Sequence, residues 1–191
     1  MIELGQKFPS FSLNALVSLE ADQEFEVIGS DLLVSDPEVW TVFFWWPQDF
    51  TLICPTEVAA FNENYQAFAS RKVRILGAST DTHYMHLGWR RATPALQNLK
   101  FPLLADPEAV LAKELGILDH KEGITYRATF IIDPSGTVRW ISVYDMHIGR
   151  NTDEVIRVVD ALQLEEICPC NWQKGDATIN PNLESIDSSA E

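Results

Sequence analysis

The chain has few cysteines, few basic residues and no long apolar run, and each shortage removes a class of protein. There are three cysteines in 191 residues. The opening Met1-Ile2-Glu3-Leu4-Gly5-Gln6-Lys7 lacks the basic-then-apolar order of a secretory signal, so a secreted disulfide framework is not indicated. Three such thiols suit cycling redox chemistry, and the cytoplasm is the expected compartment. No apolar stretch approaches the ~20 residues of a bilayer crossing, so no membrane is expected as a partner. Lys and Arg number 14 against 28 Asp and Glu, a net charge of −14. Such a surface repels nucleic-acid phosphates and anionic lipid. The four histidines are scattered and make no metal constellation. No Gly/Ser/Pro linker divides the chain and no repeat is visible, which leaves one well-filled core, with 46% hydrophobic residues in the ordinary globular range.

Apolar periodicity orders the rest. Residues 41–46 and 73–79 read as buried strands, 25–28 and 101–104 as short ones. Residues 128–132 and 137–143 flank Asp133-Pro134-Ser135-Gly136, a hairpin turn. Val58, Phe61, Tyr65 and Phe68 share one face of a helix that starts near Cys54 and ends near residue 70. A second helix covers 83–91, limited by Pro94. A third is capped by Asp106, with Pro107 at its first position, Val110, Leu111 and Leu115 inward and Gly116 at its end. Asn151-Thr152-Asp153-Glu154 resembles a capping box before a helix carrying Val155, Val158, Val159 and Leu162. Apolar periodicity is then lost, and the final ten residues read as a mobile tail. The order β-α-β-α-β-α-β-β-α implies an α/β fold: a central sheet with parallel strands and one antiparallel hairpin, helices on both faces.

Cys54 stands where the strand over 41–46 gives way to a helix, and Pro55 suits the first helical position because its missing N–H costs nothing there. Unpaired N–H groups and the helix dipole favour negative charge at that end, and a thiolate is the reactive form of cysteine. Thr51, three residues earlier, can offer a hydroxyl to the same sulfur. A single Cys after an apolar strand is, taken alone, more often a small buried hydrophobe. The surrounding residues set this one apart.

Pro47-x-x-x-Thr51-x-x-Cys54-Pro55 resembles the peroxidatic motif of the peroxiredoxins, PxxxTxxC. The likeness extends to Thr56-Glu57 after Cys-Pro, His86-x-x-Trp89, Arg127 in Tyr-Arg-Ala-Thr-Phe-Ile-Ile-Asp, Arg150 in Gly-Arg-Asn-Thr-Asp-Glu, and Cys168-Pro169 with Trp172. The chain is identified as a typical two-cysteine peroxiredoxin of the alkyl hydroperoxide reductase C type. That resemblance implies a thioredoxin-like fold in a domain spanning 1–165, and a C-terminal segment, 166–191, with the resolving cysteines and the tail. It implies a thiol peroxidase without metal, haem or flavin: Cys54 attacks the peroxide, Thr51 and Arg127 supply donors, Pro47 shields the pocket, and Glu57 and Arg150 hold the catalytic Arg127. The Cys54 sulfenic acid then condenses with a second thiol, which belongs to a partner protomer.

Cys168 takes the resolving role by position. The usual small residue two places on is Cys170, as in a three-cysteine, actinobacterial-like subset, and this leaves open which of the two thiols resolves. The resemblance implies a hydroperoxide substrate, a dithiol reductant (an alkylhydroperoxidase D-type protein or thioredoxin) and a homodimer assembled into a ring, with dimer, decamer and dodecamer left open. Trp46 replaces the family's usual Tyr, and the Gly-Gly-Leu-Gly insertion and C-terminal Tyr-Phe of peroxide-sensitive relatives are absent, which implies a robust enzyme. A thioredoxin-like reductase is excluded because position 57 is Glu rather than a second Cys, and Cys168-x-Cys170 is poor spacing for zinc. A ring-shaped holdase and a peroxide sensor are the remaining rivals.

Overall fold

The computed structural model describes residues 2–181; the tail expected over the final ten residues lies outside the described residues. By its contacts the chain divides into Met1–Thr152 and Asp153–Glu191, and the two units are described separately.

The first unit is built on nine strands: β1 (Ser12–Leu16), β2 (Phe25–Gly29), β3 (Trp40–Trp45), β4 (Val73–Ser79), β5 (Leu103–Ala105), β6 (Leu118–Asp119), β7 (Ile124–Thr125), β8 (Arg127–Ile132) and β9 (Val138–Tyr144). Its helices are α1 (Cys54–Glu63), α2 (Tyr65–Ala69), α3 (His83–Ala92) and α4 (Val110–Leu115), and α5 (Thr152–Leu164) begins where the unit ends. Seven strands form one sheet in the order β2-β1-β5-β4-β3-β8-β9, and β6 pairs with β7 apart from it. The β3, β4 and β5 strands run parallel, while β1 and β8 join antiparallel on either side. The α/β expectation of a mixed central sheet holds. The first hairpin, β1–β2, extends the antiparallel part beyond the single hairpin expected. β1 was illegible because Ser12-Leu13-Asn14-Ala15-Leu16 alternates weakly and has no β-branched residue.

Period-two alternation makes the two faces. Phe43 and Trp45 point to one, joining Leu76, Ala78, Phe130 and Ile132 in a core that takes in Leu111, Ala112 and Leu115 of α4. Phe44 points to the other, stacked on Phe61 of α1 with ring centroids 4.0 Å apart. Helices therefore cover both faces. On this second face Gly77 lies under two rings: a Cβ there would come within 2.9 Å of Trp46 and 3.0 Å of Phe44, so only glycine lets these aromatics reach the β4 backbone.

Two expected helices differ in detail. The helix expected from Cys54 to residue 70 is two helices meeting at Asn64, whose side chain donates to the Ala60 carbonyl at 3.1 Å and to Thr152 Oγ1 at 3.1 Å. The third begins at Val110 rather than Pro107, because Ala109 takes a left-handed conformation, φ +53°. Asp106 still caps it from outside, accepting from the N–H of Val110 at 3.0 Å and Ala112 at 2.8 Å. The shift turns Val110, expected inward, to solvent, at 60% exposure.

Candidate active site

The register of β8 against β3 sets the site. Phe44 pairs with Thr129 and Phe43 with Phe130, antiparallel. The first residue of β8, Arg127, therefore lies beside the last residues of β3, where the chain leaves for Cys54. Ala128, Phe130 and Ile132 belong to the α4-side core, so alternation sends Arg127 and Thr129 to the α1 side. A one-residue slip would send Arg127 to the wrong face. Cys54 is the first residue of α1 and Pro55 the second, one place later than expected. Glu57, three residues on, shares the same face of the helix.

These residues meet in one buried cluster. Cys54 is 0% exposed, and Arg127 and Glu57 are 4% each. Arg127 Nη1 donates to Cys54 Sγ at 3.4 Å and to Glu57 Oε2 at 2.5 Å. Its Nε and Nη2 both donate to the Met146 carbonyl, at 3.0 and 2.8 Å, which fixes the plane of the fork. The other Glu57 oxygen accepts from Arg150 Nε at 2.8 Å and from the Arg150 N–H at 3.0 Å. Arg150 Nη1 reaches the Ala128 carbonyl at 2.8 Å and Thr129 Oγ1 at 3.2 Å, and its guanidinium lies over Phe44, 5.1 Å from the ring centroid. One carboxylate thus binds two arginines, and all three side chains are buried, unlike an ordinary surface ion pair.

Burial opposes the Arg127 charge, but the hydrogen bond to Cys54 and the charge of Glu57 outweigh it and raise the guanidinium above its ordinary value. Arg150 shifts the other way: burial dominates and lowers it, with Glu57 opposing. Both remain cations, as arginine does in proteins.

Pro47 is buried just past the end of β3. Thr51 departs from expectation: its hydroxyl donates to the Gln48 carbonyl at 2.8 Å, so its one proton is not on the sulfur. It braces the turn in front of Cys54 instead. In that turn Phe50 adopts φ +56°, a left-handed conformation that bulky residues avoid and that functional loops often hold.

Sequence reasoning missed the anchor of this loop. Asp49, 4% exposed, accepts from Trp46 Nε1 at 2.8 Å through one oxygen, and its other oxygen lies 2.7 Å from His86 Nδ1. His86 Nε2 faces the Leu104 carbonyl at 3.1 Å, an acceptor only, so that nitrogen carries a proton. The Asp49 N–H donates to Asp81 at 2.8 Å; burial foremost, and then the nearby Asp49 charge, raise the Asp81 carboxyl. The available signal was an acid inside the motif turn and a histidine on the face of α3 that also carries the buried Trp89. Asp49→Ala should lower folding stability by about 2–6 kcal/mol, because it orphans two buried polar groups at roughly 1–3 kcal/mol each. Urea unfolding reads this, and a change below about 0.5 kcal/mol would show that the pair does not hold the loop.

The remaining candidate residues lie in the second unit, with α5 followed by a loop closed by an antiparallel bridge between Ile167 and Ile179. Cys168 is half-buried and Cys170 exposed. The Trp172 N–H donates to the Pro169 carbonyl at 3.2 Å, which closes a turn with Cys170 near its tip and Asn171 at φ +60°.

A buried thiol held by a guanidinium, at a strand-to-helix junction of a mixed sheet covered on both faces, defines a peroxiredoxin-type thiol protein. The AhpC/TSA family model matches residues 4–141, and the chain belongs to that family. It is 40% identical over 188 residues to alkyl hydroperoxide reductase C of Mycobacterium tuberculosis, covering 94% of each chain. It is 38% identical over 190 residues to peroxiredoxin-1 of Gallus gallus, covering 95% of this chain and 92% of the relative. Among solved structures, Mycobacterium bovis AhpC superposes with a TM-score of 0.80 at 39% identity, covering 91% of this chain and 99% of that one. The reduced 2-Cys peroxiredoxin of Plasmodium vivax superposes with a TM-score of 0.87 at 31% identity, covering 95% and 94%. These neighbours carry the thioredoxin-like fold implied by the motifs.

Proposed function

We propose that the chain reduces hydrogen peroxide and small organic hydroperoxides through Cys54, with Cys168 and Cys170 returning it to the thiol. The protein is a thiol-dependent peroxidase, acting on hydroperoxides at the expense of a reductant. The observation that carries the reading is the contact of Arg127 Nη1 with both Cys54 Sγ and Glu57 in a site closed to water. The Cys54 thiolate attacks one peroxide oxygen, the O–O bond breaks, and the departing oxygen leaves as alcohol or water after taking a proton. Arg127 holds the attacking anion and stabilises charge building on the leaving oxygen. Glu57 and Arg150 keep the fork in place, Pro47 shields the sulfur, and Thr51 sets the turn. The sulfur is then a sulfenic acid.

The Cys168 thiol of a partner protomer condenses with that acid, releasing water and forming a Cys54–Cys168 disulfide. Cys170, being exposed, then exchanges onto Cys168, frees Cys54, and passes the disulfide to a dithiol reductant, an alkylhydroperoxidase D-type protein or thioredoxin. Residues 1–165 act as the peroxidase domain and 166–191 as the resolving segment, in a cytoplasmic homodimer assembled into a ring. Among the described residues no helix is long and apolar enough to cross a membrane. Phe50 supports the resolving step: a strained turn in front of Cys54 favours opening when the sulfur must reach another chain. Peroxide-treated protein is expected to run as a covalent dimer on non-reducing gels, linked through Cys54 and Cys168. Mass spectrometry finding only links within one chain would contradict the step between protomers.

A further inference from the structure

The second unit holds nine acidic residues and only two basic ones, Arg157 and Lys174. An acidic segment is a poor environment for a sulfur anion, so the placement of those two cations matters. Lys174 pairs with Asp160 at 2.8 Å. Arg157 is clamped by Glu154, three residues earlier on α5, with Nε to Oε2 at 2.6 Å and Nη2 to Oε1 at 2.8 Å. The clamp leaves Nη1, which donates to the Trp172 carbonyl at 3.1 Å. Trp172 is 3% exposed, and its indole N–H donates to the Asp176 carbonyl at 3.1 Å. Trp172 also closes the Pro169–Trp172 turn that carries Cys170. The guanidinium is thus fixed at the base of the cysteine-bearing turn. The hydrogen bond to Glu154 raises Arg157 above its ordinary value; burial opposes this, and the charges of Glu154, Cys168 and Cys170 add to it.

We propose that Arg157 is a positioning residue for the thiol–disulfide steps: it seats the Cys168–Trp172 turn and its charge stabilises the sulfur anions that attack there. The inference rests on the reading that Cys168 and Cys170 resolve Cys54. In the first step the Cys168 sulfur bonds to the Cys54 sulfur while the sulfenic oxygen leaves as water. In the second the Cys170 anion bonds to the Cys168 sulfur and Cys54 departs as thiolate. Both begin with an anion inside the acidic segment, and the rate of such exchange follows the thiolate present. A planar fork clamped by Glu154 supplies charge at little cost in side-chain order.

The test follows sulfenic acid and disulfide separately, in acid-quenched samples of the full-length protein after one equivalent of hydrogen peroxide. Arg157→Met keeps the apolar stem and removes the charge; Arg157→Lys keeps the charge without the fork. Disulfide formation is expected to be at least about tenfold slower in Arg157→Met, and Arg157→Lys at least about threefold faster than Arg157→Met, a tenfold change being ~1.4 kcal/mol of barrier. Formation of the sulfenic acid should match the parent in both. A smaller loss in Arg157→Met, or a smaller recovery in Arg157→Lys, overturns the charge role, since a purely structural arginine is not rescued by lysine. Melting curves of both variants separate a rate effect from misfolding. The underlying reading fails independently if a Cys168→Ser, Cys170→Ser double variant still turns over with a dithiol reductant.

Discussion

Cys54→Ser is expected to abolish peroxide turnover with every reductant. The hydroxyl that replaces the thiol stays almost wholly protonated at neutral pH, so the guanidinium beside it has no anion to hold and the O–O bond no attacker. The substitution is nearly isosteric and buried, so the fold should survive. That makes the loss interpretable as chemistry. Steady-state peroxide consumption with dithiothreitol checks it, alongside a melting curve. Retention of most of the parent rate would place the reaction elsewhere in the chain, and retention of holdase activity alone would favour the scaffold reading.

Arg127→Lys should slow the peroxide reaction by more than one decade although it keeps the charge. Arg127 uses three nitrogens at once: Nε and Nη2 on the Met146 carbonyl, Nη1 on both Cys54 and Glu57. A single ammonium cannot satisfy a backbone carbonyl, a carboxylate and a sulfur from one point. Each lost decade corresponds to ~1.4 kcal/mol of barrier. Stopped-flow oxidation of the reduced protein measures the step directly. A rate within twofold of the parent would make Arg127 a structural residue.

The strands and helices that carry this chemistry were legible because their signals are local. The apolar runs before Pro47 and over Val73–Ser79, the helical spacing after Cys54 and the turn at Asp133–Gly136 each declare themselves within ten residues or so. The cluster of Cys54, Glu57, Arg127 and Arg150 was readable only through the family motif, since four positions spread over about a hundred residues carry no spacing signal of their own. What stayed hidden depends on tertiary pairing. The Asp49–His86 contact joins a turn directly to a helix 37 residues further along the chain. The Thr51 hydroxyl donates to the Gln48 carbonyl within its own turn rather than to the sulfur. Ala109 in a left-handed conformation delayed a helix whose cap and first proline looked complete. Arg157 resembled an ordinary polar residue of an amphipathic helix until the chain folded back to put Trp172 against it.

The two arginines and one carboxylate around Cys54 have an arithmetic of charge. With the sulfur anionic, the four groups sum to zero, and the enclosure holds a neutral ensemble. In a disulfide the same sulfur is neutral, and the enclosure would retain one uncompensated cation away from water. Such a surplus costs several kcal/mol where solvent cannot reach it. If Cys54 is oxidised as proposed, the closed pocket and the disulfide would be electrostatic competitors, and oxidation would work against the wall that encloses the sulfur. On the proposed cycle the segment from Pro47 to Glu57 would act as a fuse, held while the sulfur is charged and let go once a disulfide takes that charge away.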